Sequence, residues 1–372
     1  MPADRLSGQG SGPVLVRQCV SAMRHGLGPV RQGFSPVLTP SVLLLATVLG
    51  AVPSGQGTGI SREFRYLMGT SVEVRVFGGD PATRTAATDE AFGAMVEVDR
   101  LMSNWKADSE VTTANRDAAD FPVRLSDPLF SVIEAGQLVS ERSSGAFDMT
   151  VGPAMQLWGF RSRKPHIPTA DEIAALRAVV NYRNVVLDGA EHTMRFVHPG
   201  MEIDLGGIAK GFAVELAAGA LRRRHLGGFI DAGGNQYMLG LPPGKPAWTV
   251  GVRDPDRADR LLGTLELPEG SVSTSGQYAN FLTVDGRRYG HILDPRTLMP
   301  SDASLSVTLF SPDGTLADAV SKAAFVLGPT RGLAVIDSFP GMLGVIAYRK
   351  TDGSVGLSMT DAARKVFHPV GR

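Results

Sequence analysis

The sequence predicts an α+β protein built as two packed lobes. Three observations carry that expectation. Short alternating apolar segments, read as strands, are mixed along the chain with amphipathic segments, read as helices. Glycine (44) and proline (24) are frequent, which suits a turn-rich fold better than a helical bundle. No internal repeat or low-complexity linker follows residue 60, and 372 residues are enough for one large domain or two ordinary ones.

The first clear element is TSVEVRVFG, where Val72, Val74 and Val76 alternate with the period of a half-buried strand. In the next segment Ala87, Ala91, Ala94, Met95, Val98, Leu101 and Met102 recur three or four apart, which predicts a helix. DPLFSVIEAGQLVSERSSG predicts a second helix, opening at Asp127-Pro128 and stopping before Gly145. TADEIAALRAV opens on a capping box, Thr169 to Glu172. Strands are expected around Val185–Leu187 and Met194–Val197. MEIDLGGIAKGFAVELAAGAL should run from a short strand through two glycines into a helix. ANFLTVDG, SLSVTLFS and GMLGVIAYR predict further strands, and TLADAVSKAAFVLG and TRGLAVIDSF two helices.

Charge narrows the function classes. Basic and acidic residues balance at 37 each, so no net positive field draws in nucleic acid. Ordinary apolar content excludes a multi-span membrane protein. The N-terminus differs from the rest. Residues 1–36 are rich in Gly, Ser, Pro and Arg, and an apolar run of about sixteen residues follows, short for a bilayer span. Residues 1–60 are therefore expected to be a leader, with Met23 an alternative start and the functional domain at 61–372. A secretory signal peptide, an uncleaved anchor giving N-terminal membrane association, and a buried helix are the readings of the run. The first two send the domain outside the cytoplasm. The single cysteine, Cys19, precedes the run, so disulfides say nothing about compartment.

Four glycine-rich turns at strand ends carry polar neighbours. They are SSGAFDMTVGP, with Asp148 and Thr150; DLGGIAKG; DAGGNQY, with Gly233 and Gly234; and STSGQY, where Thr274, Ser275 and Gly276 can donate hydrogen bonds. Each alone is explained as a plain turn. Together they look like the rim of a nucleotide-sized cleft. At DLGGIAKG the helix start offers unpaired N–H groups and a dipole favouring anions. Lys210 in the first turn opposes that dipole, and a bound phosphate would compensate it; the alternative is a lysine in solvent. The spacing is neither GxGxxG nor a Walker A loop. His291, in RRYGHILDPRTLMP, is open to three readings: a surface turn, a buried structural histidine, or a side chain facing a phosphorylated ligand.

In combination these segments resemble the ApbE family of FAD:protein FMN transferases. YLMGTSVEV, MSNWKADSEVTTAN, GAFDMTVGP, IDLGGIAKGFAVE, DAGGNQYMLG, STSGQYANF, HILDPRT and LADAVSKAAFVLG occur in family order over residues 64 to 328. The resemblance implies a two-lobed α+β fold with FAD in the cleft between lobes. It implies a Mg²⁺-assisted reaction that releases AMP and joins FMN by a phosphoester to a Thr of an acceptor flavoprotein. It further implies that Met68 and Trp105 flank the flavin or adenine, and that Phe147, Asp148 and Met149 contact the nucleotide. Asp204 and Lys210 would bind FAD, with Lys210 near the phosphates. His291 and Ile292 would line the flavin site. The Gly207 carbonyl and the Asp318 carboxylate would face the metal. His291, Asp318 and Lys210 are thus the candidate catalytic residues.

Departures from the family pattern are informative. The family has Ala-Asp-x-x-x-Thr at the metal, the Thr hydroxyl being a ligand; here Lys322 holds the Thr position. On a helix Lys322 shares a face with Asp318, and a protonated lysine has no lone pair for a metal. Ser321 is adjacent but about 100° around the helix. Leu298 stands where Gly is usual, and Glu215 where Asp is usual. Three activities stay open from the sequence: flavin transferase, a non-catalytic FAD-binding relative, and an FAD pyrophosphate hydrolase.

Overall fold

The alternating valines form the second strand of an eight-stranded sheet. A computed structural model describes residues 59–370 apart from 163, 258 and 278–280. The strands are β1 (Ile60–Leu67), β2 (Thr70–Phe77), β3 (Gly227–Ala232), β4 (Asn235–Leu239), β5 (Gly270–Gly276), β6 (Ser306–Ser311), β7 (Leu343–Arg349) and β8 (Val355–Met359). They lie side by side in chain order, and every neighbouring pair is antiparallel. The sheet is thus a meander interrupted by long excursions.

Four longer helices cover one face or join it: α1 (Pro81–Met102), α2 (Asp127–Arg142), α3 (Ala209–Arg223) and α4 (Gly314–Asp337). The Asp80 side chain caps α1, and Ala87, Ala91, Met95, Val98, Leu101 and Met102 are buried as the spacing predicts. Helix α3 packs between α1 and α4 and lies over β3 and β4; α4 lies over β5, β6 and β7. The opposite face buries Met238, Val272, Phe310 and Val345 against a smaller sheet of Trp248–Arg253, Leu261–Leu267 and Phe367–Pro369. A smaller lobe holds α2 and the three-stranded sheet of Val123–Arg124, Thr193–Phe196 and Val185–Asp188; α2 docks it on α4. The α+β class expected from the sequence is the class observed.

Several local readings hold in detail. Thr169 and Glu172 make both bonds of the capping box. Gly145 follows α2 with φ +76°. The two helices read after residue 314 are continuous across a kink, where Gly328 (φ 74°) precedes Pro329. By length and hydropathy α4 alone among the described residues could cross a membrane, but most of it is buried as a core helix. Two readings fail: the SSGAFDMTVGP turn follows α2 and not a strand, and Met201–Asp204 forms no strand. Its backbone is spent on side chains and a loop, Ile203 on Asn115 and Asp204 N on the Met149 carbonyl. Leader residues 1–58, with the apolar run and Cys19, lie outside the described residues; Ile60, read as the end of the leader, instead opens β1.

Candidate active site

Strand register brings two of the four glycine-rich turns, and the β1–β2 turn beside them, to one end of the sheet. The β1–β2 turn is Met68-Gly69, both at positive φ. Val72 pairs with Ala232, so that turn lies beside the Gly233-Gly234 turn of the β3–β4 hairpin. A Cβ on Gly233 would come within 2.6 Å of Thr70 Oγ1, so this hairpin turn needs glycine for room as well as for its φ of +63°. Thr274 N donates to the Gly234 carbonyl at 3.0 Å, which sets the end of β5 alongside. Gln277, just past Gly276, donates to the Ser301 carbonyl, and Ser301 N donates to the Ile292 carbonyl at 2.9 Å. The half-buried His291 therefore sits at the same end, after the hairpin strand Arg287–Gly290.

The head of α3 meets α4 here. Gly211 N, one of the first-turn donors with no partner in its own helix, donates to Asp318 Oδ2 at 3.0 Å. A Cβ on Gly211 would lie 2.7 Å from Asp318 Cβ and closer still to the Gly314 carbonyl oxygen, so only glycine allows this helix crossing. Asp318 is 0% exposed, and its Oδ1 accepts the Lys322 ammonium one turn along α4. Lys322 keeps 18% of its side chain exposed. Burial lowers its pKa below the ordinary lysine value; Asp318 opposes that shift and the charge of Lys210 adds to it. Lys210 itself donates to the Gly206 carbonyl at 3.2 Å. Beside them, a Cβ on Gly207 would lie 3.1 Å from the Phe147 ring and 4.0 Å from Lys322 Cγ. Phe147, Gly207, Lys210, Asp318 and Lys322 thus form one group.

Asp204 belongs to the same turn and has fixed partners. Its Oδ1 accepts Gly206 N at 2.8 Å, and its Oδ2 accepts Arg161 Nη2 at 2.8 Å. Arg161 also bonds Glu202. Asn104 and Asn115 donate to the Ile203 carbonyl at 2.8 and 2.9 Å, clamping the backbone just before Asp204. Sequence reasoning missed Arg161, Asn104 and Asn115. The two asparagines lie inside the MSNWKADSEVTTAN segment, and their amides were its available signal. Trp105, next to Asn104, is 70% exposed and so is no core residue.

Other predicted residues turn inward. Asp148 accepts Thr150 N and Thr150 Oγ1 on one oxygen and Tyr182 N on the other, and burial raises its pKa. Met149 is 1% exposed, against Gly136 of α2. Ile292 is buried in the main core. Ser275 bonds Ser321 at 2.8 Å, which in turn reaches Ser273 at 3.1 Å, so these hydroxyls tie β5 to α4 inside the protein. That leaves Ser321 off the Lys322 face, as the helix geometry predicts. A cavity of about 160 Å³ adjoins the site between Gln277, Phe281, Arg288 and Gly290. A drug-sized ligand needs roughly 300–1,000 Å³, so a dinucleotide requires the open cleft and not this cavity alone.

The ApbE family profile matches residues 68–347, three quarters of the chain and every segment of this site. The chain belongs to the ApbE family. It is 32% identical over 336 residues to the FAD:protein FMN transferase of Treponema pallidum (strain Nichols), covering 84% of this chain and 93% of that protein. It is 33% identical over 273 residues to that of Klebsiella pneumoniae (strain 342), covering 73% and 83%. The solved ApbE protein of Thermotoga maritima is 32% identical and superposes with a TM-score of 0.75, covering 82% of this chain and 99% of that one. The flavin transferase ApbE of Vibrio cholerae superposes with a TM-score of 0.74 at 26% identity, with the same coverage.

Within the ApbE pattern, the substituted positions have structural accounts. Leu298 adopts φ +61°, the left-handed region that favours glycine. Its side chain is 1% exposed and its carbonyl accepts the Trp158 indole N–H at 2.8 Å. Burial of that side chain, about 2 kcal/mol, offsets a backbone strain of roughly 1–2 kcal/mol. Glu215 reaches from α3 to the start of α4, where its Oε2 accepts Gly314 N at 2.9 Å and Thr315 N at 3.3 Å. Asp313 caps the same helix through Leu316 N. Lys322 is different in kind. Magnesium takes oxygen ligands in near-octahedral array. Here Asp318 already accepts an ammonium and a backbone N–H, and an ammonium replaces the third ligand. Among the described residues no three His, Cys, Asp or Glu side chains gather to hold a metal. These residues do not fit the metal site that the family resemblance implied.

The Glu215–Asp313 pair predicts a pH dependence of stability. Burial, and then the nearby Asp313 charge, push the Glu215 carboxyl up to about 7 from 4.5. Between those values the folded chain holds a proton that the unfolded chain releases. The stabilisation is complete below about 4.5 and is lost as pH rises through about 7. The Tm should therefore fall across that window, and Glu215→Gln should flatten the fall. A slope that survives the substitution would assign it to other groups.

Proposed function

We propose that this chain is an FAD:protein FMN transferase. The observation that carries the reading is the joining of α3 and α4 at one sheet end, where a glycine turn, Lys210 and Lys322 surround Asp318 beside Phe147. Two ammonium groups at a helix start suit a pyrophosphate. FAD is the substrate, its phosphates at the α3 head and its flavin towards His291, with Met68 and Trp105 flanking the rings. A Thr hydroxyl of the acceptor attacks the FMN-side phosphorus. The bond from that phosphorus to the bridging oxygen breaks, AMP leaves with that oxygen, and the hydroxyl proton passes to solvent or to His291. Phosphoryl transfer rests on positioning and charge stabilisation, which the two lysines supply at the leaving phosphate. Mg²⁺, which the family resemblance adds, has no step here. The acceptor is a flavoprotein carrying a flavinylation motif that ends in a small residue and Thr. Residues 61–372 carry the activity, and the apolar leader exports them from the cytoplasm.

Incubation of the purified chain with FAD, with and without an acceptor domain, tests this reading. AMP released only with acceptor supports transfer. AMP released without it indicates an FAD hydrolase, and bound FAD with no AMP a binding protein. Lys210→Ala should weaken FAD binding about tenfold, as expected for one charge-assisted contact. Unchanged affinity by calorimetry would remove Lys210 from the phosphates.

A further inference from the structure

We infer that Lys322 is a built-in cation that takes the place of a divalent metal, so that this chain binds FAD and works on its pyrophosphate without Mg²⁺. The inference rests on the transferase reading and deepens it. Three observations support it. Asp318, which among the described residues is the only carboxylate bonded to Lys322, is completely buried and gives one oxygen to the ammonium and the other to Gly211 N. A Mg²⁺ ion there would have to displace a cation covalently tied to the same helix. The Lys322 stem runs past the Gly207 turn, 4.0 Å from where a Cβ would stand, so its head emerges at the α3 start and not on a remote surface. Lys210 lies close enough for its charge to be felt at Lys322. The site thus presents two ammonium groups against one buried carboxylate, and an anion between them relieves their repulsion.

A Lys322 on an exposed helix face would be explained by an i,i+4 ion pair alone. Exposed pairs of that kind contribute little to stability. Here the partner is fully buried, so the pair is held at the expense of desolvating both charges. A Lys322 that had only a structural role would be served as well by an apolar residue beside a neutral one. A charge held next to the substrate's phosphates gives the buried pair a use.

Calorimetry of FAD binding to the full chain, in EDTA and then in excess Mg²⁺, tests this directly and needs no acceptor. The expected result is one Kd in both buffers, with no binding heat for Mg²⁺ alone. Lys322→Met should weaken FAD binding about tenfold or more in EDTA. Lys322→Thr, which restores a hydroxyl and frees Asp318, should bind FAD in a Mg²⁺-dependent way. Wild-type binding that is lost in EDTA and regained with Mg²⁺ would overturn the inference while leaving the transferase reading intact. Absence of FAD binding in both buffers would overturn both. The wild-type arms decide the matter even where a variant folds poorly.

Discussion

Asp318→Ala should destabilise the fold by about 3–5 kcal/mol, the usual effect of removing one partner of a buried ion pair. The carboxylate is fully buried and serves two donors, the Lys322 ammonium and Gly211 N. Its loss leaves a charge and an N–H without acceptors between α3 and α4. Asp318→Asn should be milder, because the amide oxygen still accepts Gly211 N. The double variant Asp318→Ala with Lys322→Met should recover part of the loss, since no orphaned charge remains. Denaturant midpoints read all three. Equal stability of the wild type and Asp318→Ala would mean that the pair contributes nothing to holding the helices together.

A second large effect is expected at the helix crossing. Alanine in place of glycine inside a helix ordinarily stabilises by roughly 1 kcal/mol. At Gly211 the sign should reverse. The added methyl would meet the Gly314 carbonyl and lie 2.7 Å from Asp318 Cβ, and backbone cannot swing aside as a long side chain can. Overpacking of this kind destabilises by about 1–3 kcal/mol. FAD binding should weaken as well, because separating α3 from α4 moves Lys210 relative to Lys322. Gly219→Ala is the control on the same helix. Its Cβ would meet only the flexible end of Arg223, at 3.6 Å, so it should be neutral or stabilising. A Gly211→Ala variant as stable as Gly219→Ala would contradict the close crossing.

Local features of the fold were legible in the chain, and non-local ones were not. Period-two valines, three-four spaced alanines and methionines, and the Thr169 capping box each report on neighbours within a few residues, so spacing finds them. Sheet order was invisible for the opposite reason. Strands β2 and β3 are paired although the whole small lobe intervenes, and no local pattern records that pairing. The misread strand at Met201–Asp204 shows the same limit. Its apolar alternation looks like a strand, but the backbone groups are taken by Asn115 and by Met149. For the site, the glycine turns and Lys210 were readable as a possible anion cradle. The resemblance to a family added Asp318 and Gly207, and selected the ligand-facing reading of His291. What neither supplied was the partner of each group: that Asp318 spends an oxygen on Gly211 N, that Arg161 holds Asp204, and that Glu215 caps α4. Those partners lie 43 residues away for Arg161–Asp204 and 107 for Gly211–Asp318.

The most direct test of the transferase account is the intact mass of an acceptor domain after incubation with FAD and this chain, with AMP quantified in the same reaction. One FMN should be added per acceptor, lost when the acceptor Thr is replaced by Ala, and one AMP released for each FMN transferred. An acceptor of unchanged mass beside intact FAD, or AMP released with FMN left free in solution, would contradict it.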